Sequence, residues 1–200
     1  MKTTTSMILM ILLLAVAGCG GSDDTTTPPS PPSDAQVLSD SWTALGQGDT
    51  TGAESGFRTL LSRGALVPQA YDGLGWTFTT SAVADSALAN FRRAAAAGVD
   101  TTTVKDEARG GQCFAENAGG FNAEAVSAGS LVSSGWVFAM DSTVSYYDVV
   151  LTMASSHYLL GQFVDSLETL NLVDPAFSAD VETVDGRAAL AARIEQLLNS

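Results

Sequence analysis

The sequence predicts an all-α fold, a short α-solenoid of about three to four helical hairpins ending in a C-terminal capping helix. Three observations predict it. Residues recur at a spacing of 34. Apolar side chains return at helical intervals in segments punctuated by Gly, Asp or Pro. The composition is 46% hydrophobic with only two cysteines, so the folded part is held by packing rather than by disulfides.

The chain opens with Lys2, an unbroken apolar run from Met7 to Ala17, and Val16-Ala17-Gly18-Cys19. A positive start, a short apolar core and small residues before a cut site make a secretory signal. The run is too short to span a bilayer, which needs about 20 residues. These residues resemble a bacterial lipoprotein signal with its lipobox. The resemblance implies that residues 1–18 are removed and that Cys19 becomes the lipidated first residue, carrying a diacylglyceryl thioether and an N-acyl chain such as palmitate. Each buried methylene then adds about 0.8 kcal/mol of membrane affinity.

Residues 19–33 read as anchor and tether. Gly20-Gly21, Thr25 to Thr27 and Pro28-Pro29-Ser30-Pro31-Pro32 offer no side chain able to build a core. Proline-rich chain extends at about 3.1 Å per residue, enough to hold a domain several tens of ångströms from a membrane. By resemblance, Gly20 in place of a retention aspartate implies an outer-membrane lipoprotein facing the periplasm. Residues 34–200 are left for the repeat domain.

The charge is acidic, with 22 Asp plus Glu against 9 Lys plus Arg. Nucleic acid is excluded as a partner on this ground, because phosphate neutralisation needs clustered cations. An acidic solvated surface aids solubility and leaves a cationic partner open.

The first hairpin and its copy define the repeat. Val37, Ser41, Trp42, Thr43, Ala53, Phe57 and Arg58 are matched 34 residues later by Tyr71, Gly75, Trp76, Thr77, Ala87, Phe91 and Arg92, five of the seven as identities. Tyr71, Leu74 and Phe78 share one helical face, Gly75 admits the second helix closely, and Ala87 and Phe91 pack back across it. In the first copy Gly48-Asp49 marks the turn, and Thr50 or Thr51 is expected to cap the second helix. The pattern Tyr71-x-x-Leu74-Gly75-x-x-Phe78, then Ala87-x-x-x-Phe91-x-x-Ala94, resembles the tetratricopeptide repeat. That resemblance implies a right-handed solenoid. Asp40 and Ala44 depart from it, standing where the family has larger apolar residues.

The third hairpin is spaced at 38 residues, with Ala108, Cys113, Phe114, Ala118 and Ala125 following Ala70, Gly75, Trp76, Thr80 and Ala87. This implies a four-residue insertion within Gly98 to Thr103. Its second helix, near Asn122 to Ser133, lacks the aromatic. Cys113 takes the small, close-approach position as a compact apolar group. Gly135 to Asp141 reads as an irregular or extended connector whose Trp136 and Phe138 plug the core. A fourth hairpin runs from Ser145 to Val173 with its turn at Gly161-Gln162, and Asp174-Pro175 ends it. Leu190, Ile194, Leu197 and Leu198 then form the stripe of a capping helix.

Chemistry-bearing residues are few. His157 and Cys113 fall in different hairpins, and each reads as a packed core residue rather than a base or a nucleophile. Asp180-x-Glu182-x-x-Asp185-Gly186 lacks the alternating ligands and closing glutamate of a calcium loop. Gly110-Gly111 and Gly119-Gly120 fit packing or a turn better than a phosphate cradle. No catalytic set, metal site or cofactor is expected, and the chain is not read as an enzyme.

In tetratricopeptide proteins the first helices line a concave groove. By that resemblance Trp42, Trp76, Phe114 and Ser155 occupy the groove position, rimmed by Asp72 and Glu107, where the three aromatics would grip a segment of a partner. The competing arrangement packs the row between repeats or covers it with the last helix through Leu190, Ile194 and Leu197. The function expected is a lipid-anchored envelope adaptor or assembly factor, its partners the membrane through its lipid and another envelope protein or peptide. The alternative is a lipoprotein that captures a peptide or cell-wall fragment.

Overall fold

The computed structural model describes residues 30–97 and 102–200, and the helices below belong to the unit Pro32–Ser200. The signal peptide, Cys19 and the tether as far as residue 29 lie outside the described residues, as do residues 98–101 of the expected insertion. Among the described residues there are nine helices and no sheet, only an isolated antiparallel bridge between Val137 and Ser145.

The helices are α1 (Asp34–Gly46), α2 (Thr50–Arg63), α3 (Val67–Thr80), α4 (Ala84–Ala96), α5 (Thr102–Ala118), α6 (Asn122–Gly129), α7 (Tyr146–Leu159), α8 (Phe163–Leu170) and α9 (Val184–Leu198). From α1 to α8 each helix packs on the next. The odd-numbered helices also touch one another in order, α1 on α3, α3 on α5, α5 on α7 and α7 on α9. That is the contact pattern of a helical repeat: neighbours pair within a hairpin, and the first helices build a continuous inner layer.

The recurrence at 34 residues is visible in side-chain geometry. Trp42 of α1 meets Phe57 of α2 edge-on at 5.1 Å and 74°, and Trp76 of α3 meets Phe91 of α4 at 5.3 Å and 79°. Each phenylalanine, fully buried, then presses on a glycine of the next hairpin, Phe57 on Gly73 and Phe91 on Gly111. A β-carbon at either glycine would overlap the ring, so helix approach there depends on the missing side chain. Ser41, at the small position of the first copy, is buried and turns its hydroxyl back to Val37 O at 2.6 Å.

Local chemistry sets the helix ends. Asp49, not Thr50 or Thr51, caps α2, its Oδ1 accepting from Gly52 N at 2.9 Å. An aspartate accepts from the backbone N–H groups and also places negative charge at the positive end of the helix dipole. Ser145 opens α7 with a capping box closed by Asp148. Gly161 turns the chain between α7 and α8 at φ 75°. α6 stops at Gly129, earlier than the sequence suggests, because residues 130–135 leave the helix for turns that lead into the connector.

Three buried clusters follow. Ala53, Phe57, Leu60, Ala70 and Leu74 hold α1 to α3. Trp76, Phe91, Cys113, Val132, Trp136, Phe138, Val150 and Met153 form the centre. Leu151, Ala154, Leu170, Leu190 and Ile194 join α7, α8 and α9. Leu190 and Ile194 therefore serve the C-terminal cluster and do not cover the aromatic row.

Candidate functional site: an aromatic row under a strap

Trp42, Trp76 and Phe114 lie on α1, α3 and α5, the inner layer, as the repeat pattern requires. Trp76 and Phe114 meet edge-on at 6.4 Å. The row does not stand open. Phe138, from the connector between α6 and α7, stacks on Trp76 at 4.2 Å and 22° and meets Trp42 at 6.1 Å. Trp76 and Phe138 are consequently both buried, whereas Trp42 and Phe114 remain half-buried. Ser155 is separate: it faces Tyr158 and Ile194 near α9.

Short-range hydrogen bonds shape the connector into a strap. Phe138 N donates to Val144 O at 2.8 Å and Tyr146 N to Trp136 O at 2.9 Å, so two short stretches run antiparallel. The turn between them is closed by Asp141, whose Oδ1 accepts from Thr143 N at 3.0 Å and from Thr143 Oγ1 at 2.6 Å. Those bonds hold the exposed Asp141 carboxyl below the usual carboxylate range. Alternation along the strap sends Trp136 and Phe138 inward and leaves Val137 and Ala139 exposed, and at Met140, also exposed, the alternation ends. Trp136 comes to rest on Gly110 of α5.

Asp72 and Glu107, expected on the rim, are inside. Asp72 is 1% exposed and Glu107 7%. The reason is positional: Asp72 stands one turn before Trp76 and shares its inward face. The two carboxyl groups, from α3 and α5, are close enough for each to act on the other's proton affinity. Burial pushes Asp72 well above the usual carboxylate range, and the Glu107 charge pushes it further. Burial raises Glu107 as well, opposed by the Ala139 amide of the strap, which donates to Glu107 Oε1 at 3.3 Å. Both carboxyl groups are thus shifted by burial toward their neutral forms.

Seating the strap has a cost. Asp72 Oδ1 and the Nε1 atoms of Trp76 and Trp136 are buried without a hydrogen-bond partner in the protein. Each such group opposes burial by about 1–3 kcal/mol. Stacking of Phe138 and burial of both connector aromatics, about 1.5–3 kcal/mol for each side chain, offset this.

The remaining candidates are structural. Cys113 is fully buried among α5, α6 and α7, and desolvation with the nearby Glu116 charge pushes its thiol up to about 12. His157 is half-buried with Nδ1 2.8 Å from Gln162 Oε1 across the Gly161 turn. Gly110 and Gly111 face Trp136 and Phe91, and Gly120 supplies a turn at φ 78°. Asp180 lies in the loop leading to α9, where Thr183 caps the helix by accepting from Gly186 N at 3.0 Å. Among the described residues no three His, Cys, Asp or Glu side chains gather in a metal-binding cluster, and no helix is long and apolar enough to cross a membrane.

The strap is what sequence reasoning left incomplete. Trp136 and Phe138 are foreseeable as plugs, but their seat over the Trp42–Trp76 row is not, because the connector carries no helical period to place it. No family model, no curated protein and no solved structure matches the chain.

Proposed function

We propose that the chain is a lipid-anchored cell-envelope protein whose tetratricopeptide-like scaffold mediates protein–protein interaction as an adaptor or assembly factor, without catalysis. The observation that carries the reading is the inner layer of first helices, on which three aromatics from successive hairpins are brought to one face. Aromatic side chains in line on a rigid scaffold give large contact area at low entropic cost, the property of binding hot spots. In this reading the hairpins number four, from α1–α2 to α7–α8, wind right-handed, and are capped by α9. The lipobox-like Val16-Ala17-Gly18-Cys19 supports an outer-membrane anchor at Cys19, with residues 19–33 as tether. A buried thiol and a histidine engaged at a turn support a non-catalytic role.

Cross-linking in intact cells, followed by membrane fractionation, tests this. Wild-type protein is expected in the membrane fraction, linked to one envelope protein. The Cys19→Ser variant is expected to lose membrane retention, since the acyl chains supply the affinity. A Cys19→Ser protein that stays in the membrane fraction, or a wild type linked to nothing above background, contradicts the proposal.

A further inference from the structure

Besides covering the row, the strap closes a cleft against the ends of two helices. The cleft, about 370 Å³, is lined from α1, α3 and the strap. Its size falls within that of small binding clefts, about 300–1,000 Å³. Trp76 and Phe138, stacked at 4.2 Å, form one wall. Leu45, Met140 and Val144 also line it, Met140 43% exposed and the other two half-buried. An apolar side chain entering the cleft therefore leaves water for apolar surface.

The polar lining has one sign. α1 ends at Gly46 and α3 at Thr80, and both residues line the cleft, so two helix C-termini meet there. A helix C-terminus carries about half a negative charge on its unpaired carbonyls, and a basic residue in the last turn commonly offsets it. Neither helix has one. Among the described residues no backbone N–H bonds to Gly46 O or Thr80 O, the last carbonyl of each helix. Thr79 and Thr80 direct their hydroxyl protons to Gly75 O at 3.0 Å and Trp76 O at 3.1 Å, which leaves their oxygens as acceptors only. The Trp76 indole nitrogen is out of contact with solvent, so it presents no donor to the cleft. Asp141 is exposed, and Thr143 occupies its Oδ1 but not its Oδ2. No Lys or Arg lines the cleft.

We propose that this cleft is a docking site for a protein segment that carries a Lys or Arg beside a large apolar residue. The inference rests on the adaptor reading and supplies the chemistry of the partner that reading requires. The apolar side chain packs on Leu45, Met140 and the Trp76–Phe138 stack. The cation beside it faces Asp141 and the two helix ends, where its donors make charge-assisted hydrogen bonds. An acidic segment would meet three negative groups and no donor side chain, and like-charge repulsion rejects it. The strap stays seated throughout. Trp136 and Phe138 remain in the central core, and the segment binds beside them. The excess of 22 Asp plus Glu over 9 Lys plus Arg also draws a basic segment toward the molecule before contact.

Selection from a random linear peptide library displayed on phage, with the full chain in detergent as bait, tests the proposal. Enriched peptides are expected to carry Arg or Lys next to Leu, Met or Phe, or one residue away. The most enriched peptide is then titrated by fluorescence anisotropy against wild type and three variants. Gly46→Arg places a resident cation at the end of α1, where a β-carbon meets nothing within 4 Å and the helix dipole favours it. Affinity there is expected to fall at least about tenfold, because the peptide meets like charge. Asp141→Asn keeps the oxygen that Thr143 uses and removes the charge. A loss of about threefold is expected, the size of an exposed ion pair. Asp165→Asn removes an exposed carboxylate of α8, far along the chain from the cleft, and should leave affinity unchanged. If Gly46→Arg loses its helical signal, the comparison of Asp141→Asn with Asp165→Asn decides.

A selection without basic residues overturns the proposal. So does unchanged affinity in a folded Gly46→Arg protein, or an equal loss in Asp141→Asn and Asp165→Asn, which would assign the binding to the acidic surface as a whole. The two readings fail separately. An envelope protein cross-linked equally by wild type and Gly46→Arg keeps the adaptor and removes the cleft. Peptides of the expected pattern, with no envelope protein cross-linked in cells, keep the cleft and remove the adaptor.

Discussion

Trp76→Ala lowers the free energy of unfolding by about 3–5 kcal/mol, the largest loss expected from any single truncation in the inner layer. The indole is bounded by Phe91 at 5.3 Å, Phe114 at 6.4 Å and Phe138 at 4.2 Å, each ring from a different segment of chain. Removing it deletes the shared contact of α4, α5 and the strap at once. Phe91 and Phe138 cannot collapse into the space, because Phe91 is wedged between Gly75 and Gly111 and Phe138 is tied to Val144 through its backbone. The indole N–H makes no well-formed hydrogen bond, so most of the effect is packing. A urea titration followed by helical circular dichroism should show a lower midpoint with an unchanged slope. A loss under about 1 kcal/mol, the ordinary size of a surface change, would mean that the row does not hold the repeat together.

Gly111→Val is the second large effect, expected at about 3 kcal/mol, the upper end of overpacking costs. A β-carbon at Gly111 overlaps Cζ and Cε1 of Phe91 and comes within 2.9 Å of its Cδ1. The ring has no escape toward α3, where a β-carbon at Gly75 would already sit 2.5 Å from it, and it is fully buried. α4 and α5 must move apart, and with them the third hairpin. Trimming the ring in a Phe91→Leu background should recover part of the loss. A double-mutant cycle therefore gives a coupling energy of about 1 kcal/mol or more. Additive losses would show that Gly111 and Phe91 do not share one contact.

Much of the scaffold was legible because packing repeats where sequence repeats. The Trp42–Phe57 and Trp76–Phe91 pairs are the same contact made twice, and the four extra residues before the third hairpin carry the Phe57–Gly73 contact into Phe91–Gly111. The fourth hairpin was legible from turn chemistry at Gly161-Gln162 and Asp174-Pro175, and α9 from the apolar stripe of Leu190, Ile194, Leu197 and Leu198. The α2 cap falls one or two residues before the expected Thr50 or Thr51 because aspartate and threonine compete for the same role, and Asp49 adds a charge that threonine lacks. The site was legible in its members but not in its state. Trp42, Trp76 and Phe114 are in line, yet the piece that covers them comes from an irregular connector whose position only tertiary contacts decide. The groove that the tetratricopeptide resemblance implies puts Asp72 and Glu107 on the rim, whereas both are buried. The available signal was the spacing Asp72 to Trp76, one helical turn, which puts both on the inward face.

The central claim is that the aromatic face of this scaffold is what holds a protein partner. The most direct test is a binding titration of the cross-linked envelope protein against the full chain, wild type and Trp42→Ala, with a synthetic peptide of residues 134–145 as competitor. Trp42 is half-buried and spared the stacking that makes Trp76 structural, so its truncation leaves a folded protein to measure. The expected result is affinity weakened by at least about thirtyfold in Trp42→Ala, a hot-spot loss of about 2 kcal/mol, together with displacement by the peptide. Unchanged affinity in a folded Trp42→Ala protein, with no displacement by the peptide, would place the binding surface elsewhere on the molecule.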